Sequence, residues 1–326
     1  MFVLGLQGSP RRKGNSAHLL SVFLGECERL GARIEIVDVT RDRILPCAEY
    51  VVCEKKGFCP IDDDMKQRGY PLLRAADVVV AATPIFFYNC TSQLKALIDR
   101  SQTLWARRYR LKLADPNSRW RRGFVLSVAA THGKQLFDGL HLTMQYFFDA
   151  ISAQYHGSLT YRGIEKAGDM ARHETVQADA AAAAADLLAP YLGRQKLLFV
   201  SGDGAARSQI AAAFARVHAG DRIEVRCAGL QAAEKICPAA AGAMRDRGID
   251  VGFLKPEPLD RALEGWQPEA MVTVGKVSGL PALKDARIES WDFATPDDED
   301  APAWRQLAGE IEERVRALTE SLQKGQ

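Results

Sequence analysis

At 326 residues, with 47% apolar and 26% charged side chains, the chain has room for about two domains and is too ordinary in composition for wholesale disorder or a collagen-like repeat. Its 43 basic and 41 acidic residues leave a net charge of +2, which gives no general case for a nucleic-acid or anionic-membrane partner. No apolar run reaches the ~20 residues that span a bilayer, and the opening Met1–Leu6 is too short and lacks a basic leader for a signal peptide, so a cytoplasmic chain is expected.

The first half alternates strand and helix. Val3 to Leu6 reads as a short buried strand, and Ser16 as the cap of a helix whose apolar positions Leu19, Leu20, Phe23, Leu24 and Cys27 recur at helical spacing. Gly31 stops that helix and Ile34 to Val39 supplies a second strand. Ala76 to Ala82 and Phe124 to Ala130 are continuous apolar runs of the kind that form central parallel strands. A weaker strand is expected at Ser158 to Tyr161. Helices fill the gaps at Ser92 to Trp105, Phe137 to Ser152 and Val176 to Leu192, the last running through an alanine-rich stretch. This alternation predicts a doubly wound parallel sheet with ligands at the C-terminal strand ends. A second β–α cycle starts near residue 195, with strands at Leu197 to Val200, Arg222 to Ala228 and Ala270 to Val274. Helices follow at Ser208 to Ala219 and Pro302 to Leu322, giving a second, smaller α/β domain.

Seven cysteines, an odd number in a chain large enough for a proper core, argue for reduced thiols rather than a disulfide framework. Cys47, Cys53 and Cys59 form the one cluster that raises a metal or redox question.

Three loops of the first half carry chemistry. Gly8-Ser9-Pro10-Arg11-Arg12-Lys13-Gly14-Asn15-Ser16 joins a strand to a helix, where free N–H groups and the helix dipole favour a phosphate. Ser9, Asn15 and Ser16 add donors, and Arg11 adds charge. Thr83-Pro84-Ile85-Phe86-Phe87-Tyr88-Asn89 leaves the next strand as an apolar, aromatic wall suited to a flat ring system. Thr131-His132-Gly133 leaves the following strand, and its residues alone do not separate a ligand loop from a plain turn.

Together with Leu97-Ile98-Asp99-Arg100 and the Cys47–Cys59 segment running into Asp62-Asp63-Asp64-Met65, these loops resemble the NAD(P)H-dependent FMN reductases of the flavodoxin-like fold, and within them the iron–sulfur flavoprotein branch. The resemblance covers residues 1–193. It implies non-covalent FMN with its phosphate on Ser9, Arg11, Gly14, Asn15 and Ser16. The isoalloxazine would lie against Pro84, Ile85, Phe86, Phe87 and Asn89, with Thr131, His132 and Gly133 on the same rim. It also implies NAD(P)H as reductant, a small-molecule or protein electron acceptor, and a homodimer or homotetramer. The branch's cluster ligands follow Cys-x2-Cys-x2-Cys-x5-Cys, whereas Tyr50 stands at the second place here. A cluster with one open iron, a tyrosinate ligand, a zinc site and loss of the cluster are the alternatives. Loss of the cluster is the expectation.

In the second half, Ser201-Gly202-Asp203-Gly204-Ala205-Ala206-Arg207-Ser208 follows a strand and opens a helix. With Ala228-Gly229, the stretch Pro238 to Met244, Arg247-Gly248-Ile249-Asp250 and Trp291 before an acidic loop, it resembles the low-molecular-weight tyrosine phosphatases and thioredoxin-coupled arsenate reductases over about 196–322, within a second domain expected over 196–326. Their loop reads Cys-x5-Arg-Ser, and its thiolate is the nucleophile. Ser201 holds the place of that cysteine, and Ala206, Gly275 and Leu280 hold the places of the reductases' other redox cysteines. The resemblance therefore implies a catalytically silent domain that keeps an anion loop of Ser201, Gly202, Gly204, Arg207 and Ser208 for phosphate or arsenate. Asp297 stands near the phosphatases' general acid, in an acidic run expected to be a solvated loop.

Overall fold

Unbroken runs of β-branched and other apolar residues become the central strands, because only a strand covered on both faces can bury every side chain it carries. The computed structural model describes residues 1–281, 283 and 286–324. The chain divides into two units, Met1–Lys112 with Ser118–Pro190, and Leu113–Asn117 with Tyr191–Gln326.

In the first unit β1 (Phe2–Gln7), α1 (Asn15–Arg29), β2 (Arg33–Asp38), α2 (Val52–Lys56), α3 (Tyr70–Ala75) and β3 (Val78–Pro84) come first. They are followed by α4 (Ser92–Arg100), α5 (Gln102–Tyr109), β4 (Arg122–Val128), α6 (Asp138–Ala150), β5 (Gln154–Tyr161) and α7 (Val176–Leu188). The five strands are all parallel in the order β2-β1-β3-β4-β5. This is the doubly wound order in which the chain reverses direction between β1 and β3 and leaves a crevice at their C-terminal ends. α1 buries Leu19, Leu20, Phe23, Leu24 and Cys27, and the Phe23 ring stacks on Phe124 of β4 at 5.1 Å. Burying one such phenylalanine contributes about 2–3 kcal/mol.

Two expectations change. Gly14 rather than Ser16 is the N-cap of α1, with no side-chain cap hydrogen bond, and Ser16 is buried inside the first turn. The single helix expected over 92–105 is two, separated at Ser101.

The second unit contains β6 (Gln195–Ser201), α8 (Arg207–Ala219), β7 (Ile223–Gly229), α9 (Pro238–Asp246), α10 (Leu259–Leu263), β8 (Ala270–Val274), β9 (Arg287–Trp291) and α11 (Ala301–Lys324). Its four strands are parallel in the order β7-β6-β8-β9. Phe199, Phe214, Trp291, Trp304, Ile311 and Val315 form the heart of its core. Trp304, Leu307, Ala308, Ile311, Val315 and Leu318 make the apolar stripe of α11, at the spacing one helix face requires. Within this unit the short piece Leu113–Asn117 runs beside Ile249. Ala114 N–H donates to Gly248 O at 2.7 Å and Asp250 N–H to Ala114 O at 2.8 Å.

Candidate functional site

The first loop leaves β1 at the reversal of strand order. Gly8 N–H donates to Ala82 O of β3 at 2.8 Å, and the Thr91 hydroxyl donates to Gly8 O at 2.6 Å. A Cβ on Gly8 would meet Ala82 O and Leu94 Cδ2, each at 2.7 Å, so only glycine lets the loop press so closely on β3. Beyond it Ser9 is buried and its Oγ accepts from Arg11 N–H at 3.2 Å, while Gly14 N–H returns to Arg11 O at 3.1 Å. Arg11, Arg12 and Lys13 stand in solvent. Among the described residues, the N–H groups of Ser9, Arg12, Lys13, Asn15 and Ser16 find no acceptor within the chain. Five open donors at and before the positive end of a fifteen-residue helix are an arrangement that can receive an anion. Asn15 does a different job, since its side chain donates to Lys166 O and accepts from Met170 N–H, tying the 166–170 segment to the loop.

The second loop is a miniature hairpin. Phe86 and Asn89 exchange backbone hydrogen bonds at 2.8 and 3.0 Å across Phe87 and Tyr88. Both central residues have positive φ, 47° and 64°, as a two-residue turn of the primed kind requires. Aromatic residues rarely adopt that conformation, which costs about 1–2 kcal/mol for each. Its product is a presented surface, with Phe87 fully exposed and Phe86 and Tyr88 half exposed. Asn89 anchors the base through Thr143 of α6 at 2.9 Å. Thr91 caps α4 by accepting from Leu94 N–H at 3.3 Å. The third loop stands against this hairpin, for a Cβ on Gly133 would lie 3.0 Å from the Tyr88 hydroxyl. Arg162 holds it by donating to the His132 and Gly133 carbonyls. The structure thus gathers the first, second and third loops at the C-terminal ends of β1, β3 and β4.

The cysteine segment borders a cavity of about 370 Å³ lined by Cys47, Tyr50, Cys53, Cys59, Arg100 and Thr103, among others. Burial raises the Cys53 thiol, and the neighbouring Cys59 and Cys47 raise it further. Cys47 is exposed and the other two are half-buried. As they stand, no three cysteine, histidine or carboxylate side chains among the described residues are gathered tightly enough to hold a metal ion. Behind the thiols Arg100 and Asp63 form a buried pair, at 2.6 and 3.1 Å. Arg100 also donates to Leu45 O, while Leu45 N–H donates to Asp63. Burial pushes the Asp63 carboxyl up, but its hydrogen bonds from Arg100 and Leu45 outweigh that and hold it below its usual range. Arg100 Nε is buried without a partner.

In the second unit the loop after β6 is held together around Ser201. Ser201 Oγ accepts from Gly204 N–H at 3.1 Å and lies 2.9 Å from Ser208 Oγ. Among the described residues the N–H groups of Gly202, Asp203, Ala206, Arg207 and Ser208 find no acceptor in the chain. Two features oppose an incoming dianion. Asp203 turns its carboxylate onto Ala205 N–H at 3.0 Å, and Arg207 spends one nitrogen on Phe293 O at 2.6 Å. Burial lowers the Arg207 pKa, partly offset by Asp203 and Asp292. Gly275, at φ +95°, lies directly against the Arg207 guanidinium. Among the described residues, no histidine or carboxylate bonds to the Ser201 hydroxyl to serve as its general base. Asp297 accepts from Glu299 N–H and, through its carbonyl, from Trp304 Nε1. Asp298 meets the Cys237 thiol at 3.5 Å.

Residues 1–162 match the family of NADPH-dependent FMN reductases, and residues 196–326 that of low molecular weight phosphotyrosine protein phosphatases. The chain thus carries one stretch that matches each family. An iron–sulfur flavoprotein of Methanosarcina thermophila is 35% identical over 112 residues, covering 34% of this chain and 58% of that protein. Two further iron–sulfur flavoproteins are covered to 45% and 53%, so the chain spans about half the length of these curated relatives. A glutaredoxin arsenate reductase of Synechocystis is 26% identical over 126 residues, covering 38% of this chain and 95% of that protein. The solved structure of an arsenate reductase from Archaeoglobus fulgidus is 28% identical with a TM-score of 0.34, covering 38% of this chain and 98% of that one.

In the first unit the open N–H groups and the aromatic hairpin fit a flavin phosphate and ring. The cysteine segment does not fit the cluster its relatives are named for. A cluster takes four thiolates; three cysteines border the cavity, and the oxygen donor Tyr50 is 62% exposed. The residues missed from sequence are those that fasten the loops. Arg162, Thr143 and Thr91 carry no motif of their own. Arg100 did lie in a motif, Leu-Ile-Asp-Arg, but its buried partner Asp63 sits 37 residues away. Among the described residues, no helix is long and apolar enough to cross a membrane.

Proposed function

We propose that the FMN reductase domain binds FMN without a covalent link and carries reducing equivalents from NAD(P)H to a small-molecule or protein acceptor. The observation that carries this reading is the meeting of five open N–H groups at the start of α1 with a strained aromatic hairpin on the same sheet rim. The bound flavin supplies the hydride chemistry, and the protein supplies position and electrostatics. Ser9, Arg11, Gly14, Asn15 and Ser16 hold the phosphate end, Asn15 in part by fixing the 166–170 segment. Pro84 to Asn89 present the ring wall, and Thr131 to Gly133, clamped by Arg162, close the rim. The exposed Phe87, Leu142 and Tyr146 suit a second copy of the chain, as a homodimer or homotetramer. Purification decides the central point. A yellow protein that oxidises NAD(P)H with bound FMN supports the reading; a colourless protein that FMN cannot reconstitute overturns it.

The phosphatase-family domain is read as silent toward phosphate esters, since Ser201 has neither a thiol's acidity nor a neighbouring base. One observation favours a second reading, in which this domain is an oxyanion sensor: the five open N–H groups of the Ser201–Ser208 loop. Calorimetric titration with phosphate and with arsenate, repeated on Arg207→Ala, separates the two. Heat that vanishes with the arginine supports the sensor, and no heat from either protein leaves the loop structural.

A further inference from the structure

The three thiols that cannot complete an iron–sulfur site have a chemistry of their own. We infer that the cavity bordered by Cys47, Cys53 and Cys59 is a three-thiol site for a trivalent thiophilic metalloid, with arsenite as its ligand class. The donor count comes first. Three cysteines of this segment border the cavity, and the other donors there, Tyr50 and the carboxylates of Glu49, Glu54 and Asp99, are hard oxygens that a soft thiophilic centre does not favour. An iron–sulfur cluster calls for a fourth thiolate and zinc would have to add an oxygen ligand, whereas a trivalent arsenic centre is pyramidal and is satisfied by three sulfurs and its own lone pair.

Charge gives the same answer. Glu49, Glu54 and Asp99 border the cavity, and the one cation there, Arg100, is already neutralised by Asp63. A divalent ion on three thiolates would leave a net negative charge in this half-buried setting, which desolvation disfavours. A trivalent centre on three thiolates is neutral. Arg100 supplies an independent pointer. It is 1% exposed, borders the cavity, and its Nε is buried without an acceptor although its other two nitrogens are bonded. Cys59 lies near enough to act on Arg100 electrostatically, so this open donor belongs to the same corner of the cavity as the thiols.

Prior convergence of the sulfurs is not required, because the bonds form one at a time. As(OH)3 reacts with three thiols to give As(SR)3 and three waters. Each step breaks one As–O bond, forms one As–S bond, and joins the thiol proton to the departing hydroxide. No electron changes hands. Cys47 is exposed and available for the first bond. Cys53 already feels both other thiols, and once one bond exists the later ones are intramolecular and face a high effective concentration.

The test uses the full chain, reduced with a phosphine rather than a thiol and then incubated with sodium arsenite. After gel filtration, arsenic is measured by mass spectrometry, free thiols by a chromogenic disulfide, and flavin by absorbance in the same samples. One arsenic per chain with three thiols consumed is expected, falling to background in C47S, C53S and C59S and unchanged in C227S and C237S. Because Cys47 is exposed, C47S keeps the test valid if either of the other variants fails to fold. Any one of three results overturns the inference: no arsenic retained by the wild type, full retention in C47S, or iron and sulfide in stoichiometric amounts in the protein as isolated. Flavin content follows separately, so failure here and failure of the flavin reading are told apart.

Discussion

Asp63→Asn tests whether the buried Arg100 is a structural charge held in place by one carboxylate. Asparagine keeps the shape and one carbonyl oxygen, so Leu45 N–H retains an acceptor, but the guanidinium loses its counter-charge in a site where Asp63 and Arg100 are 4% and 1% exposed. Breaking a buried pair from one side costs about 3–5 kcal/mol. In a domain of this size each kcal/mol moves the midpoint by about 2–4 °C, so the first unit's melting temperature should fall by roughly 6–20 °C. Circular dichroism, with flavin fluorescence reporting the first unit, follows the transition. The pH dependence adds a second reading. Asp63's folded pKa lies below its unfolded value, so its stabilisation is present above the unfolded pKa and lost as pH falls through the folded one. The gap between wild type and variant should therefore be full at neutral pH and narrow only in strong acid. A loss under about 1 kcal/mol at pH 7 would refute the reasoning, because it would mean that water reaches and solvates Arg100.

Gly8→Ala places a methyl 2.7 Å from the Ala82 carbonyl; a loss of about 1–3 kcal/mol is expected, together with weaker FMN binding by fluorescence titration, and unchanged values for both would remove the close-approach argument. Phe87→Gly relieves a positive φ at an exposed site, so the melting temperature should hold or rise by up to about 1 kcal/mol equivalent while turnover with NAD(P)H drops; unaltered turnover would show that the hairpin tip takes no part. Burial pushes the Cys27 thiol up to about 12 and that of Cys90 up to about 11. A thiol reagent at pH 8 should therefore modify the exposed Cys47 well before either, as peptide mapping of a time course would show. Ser201→Cys, combined with Asp203→Gly to free Ala205 N–H, should create measurable hydrolysis of an aryl phosphate; continued silence would place the defect beyond the loop.

The central strands and the three loops that leave them were readable because their signals are local: a buried apolar run, a glycine, then a cap. What escaped depends on partners distant in sequence. The helix break at Ser101 has no helix-breaking residue to announce it. It follows from Arg100 turning inward to Asp63, with the Arg100 carbonyl taken by the Tyr70 hydroxyl. β9 escaped for another reason, since of its five residues only Trp291 is buried, and an edge strand so wet carries little periodic signal. Ser16 was legible as a polar residue at the right place for a cap, yet the extended conformation fell to Gly14. Asp203 stands inside the Ser201–Ser208 loop. Its side-chain bond from Ala205 N–H could be seen only in the structure, and it takes up a donor that would otherwise be open.

The pentapeptide Leu113–Asn117 has a practical consequence for anyone who wants the phosphatase-family domain by itself. Because that domain is assembled from two stretches of chain, the polypeptide passes from one unit to the other three times, after Lys112, after Asn117 and after Pro190. A fragment starting at Tyr191 would leave Gly248 O and Asp250 N–H without the Ala114 groups they pair with. An honest isolated domain would have to be permuted, with 113–117 grafted through a linker, and a protease that nicks the chain once near residue 190 would not release it.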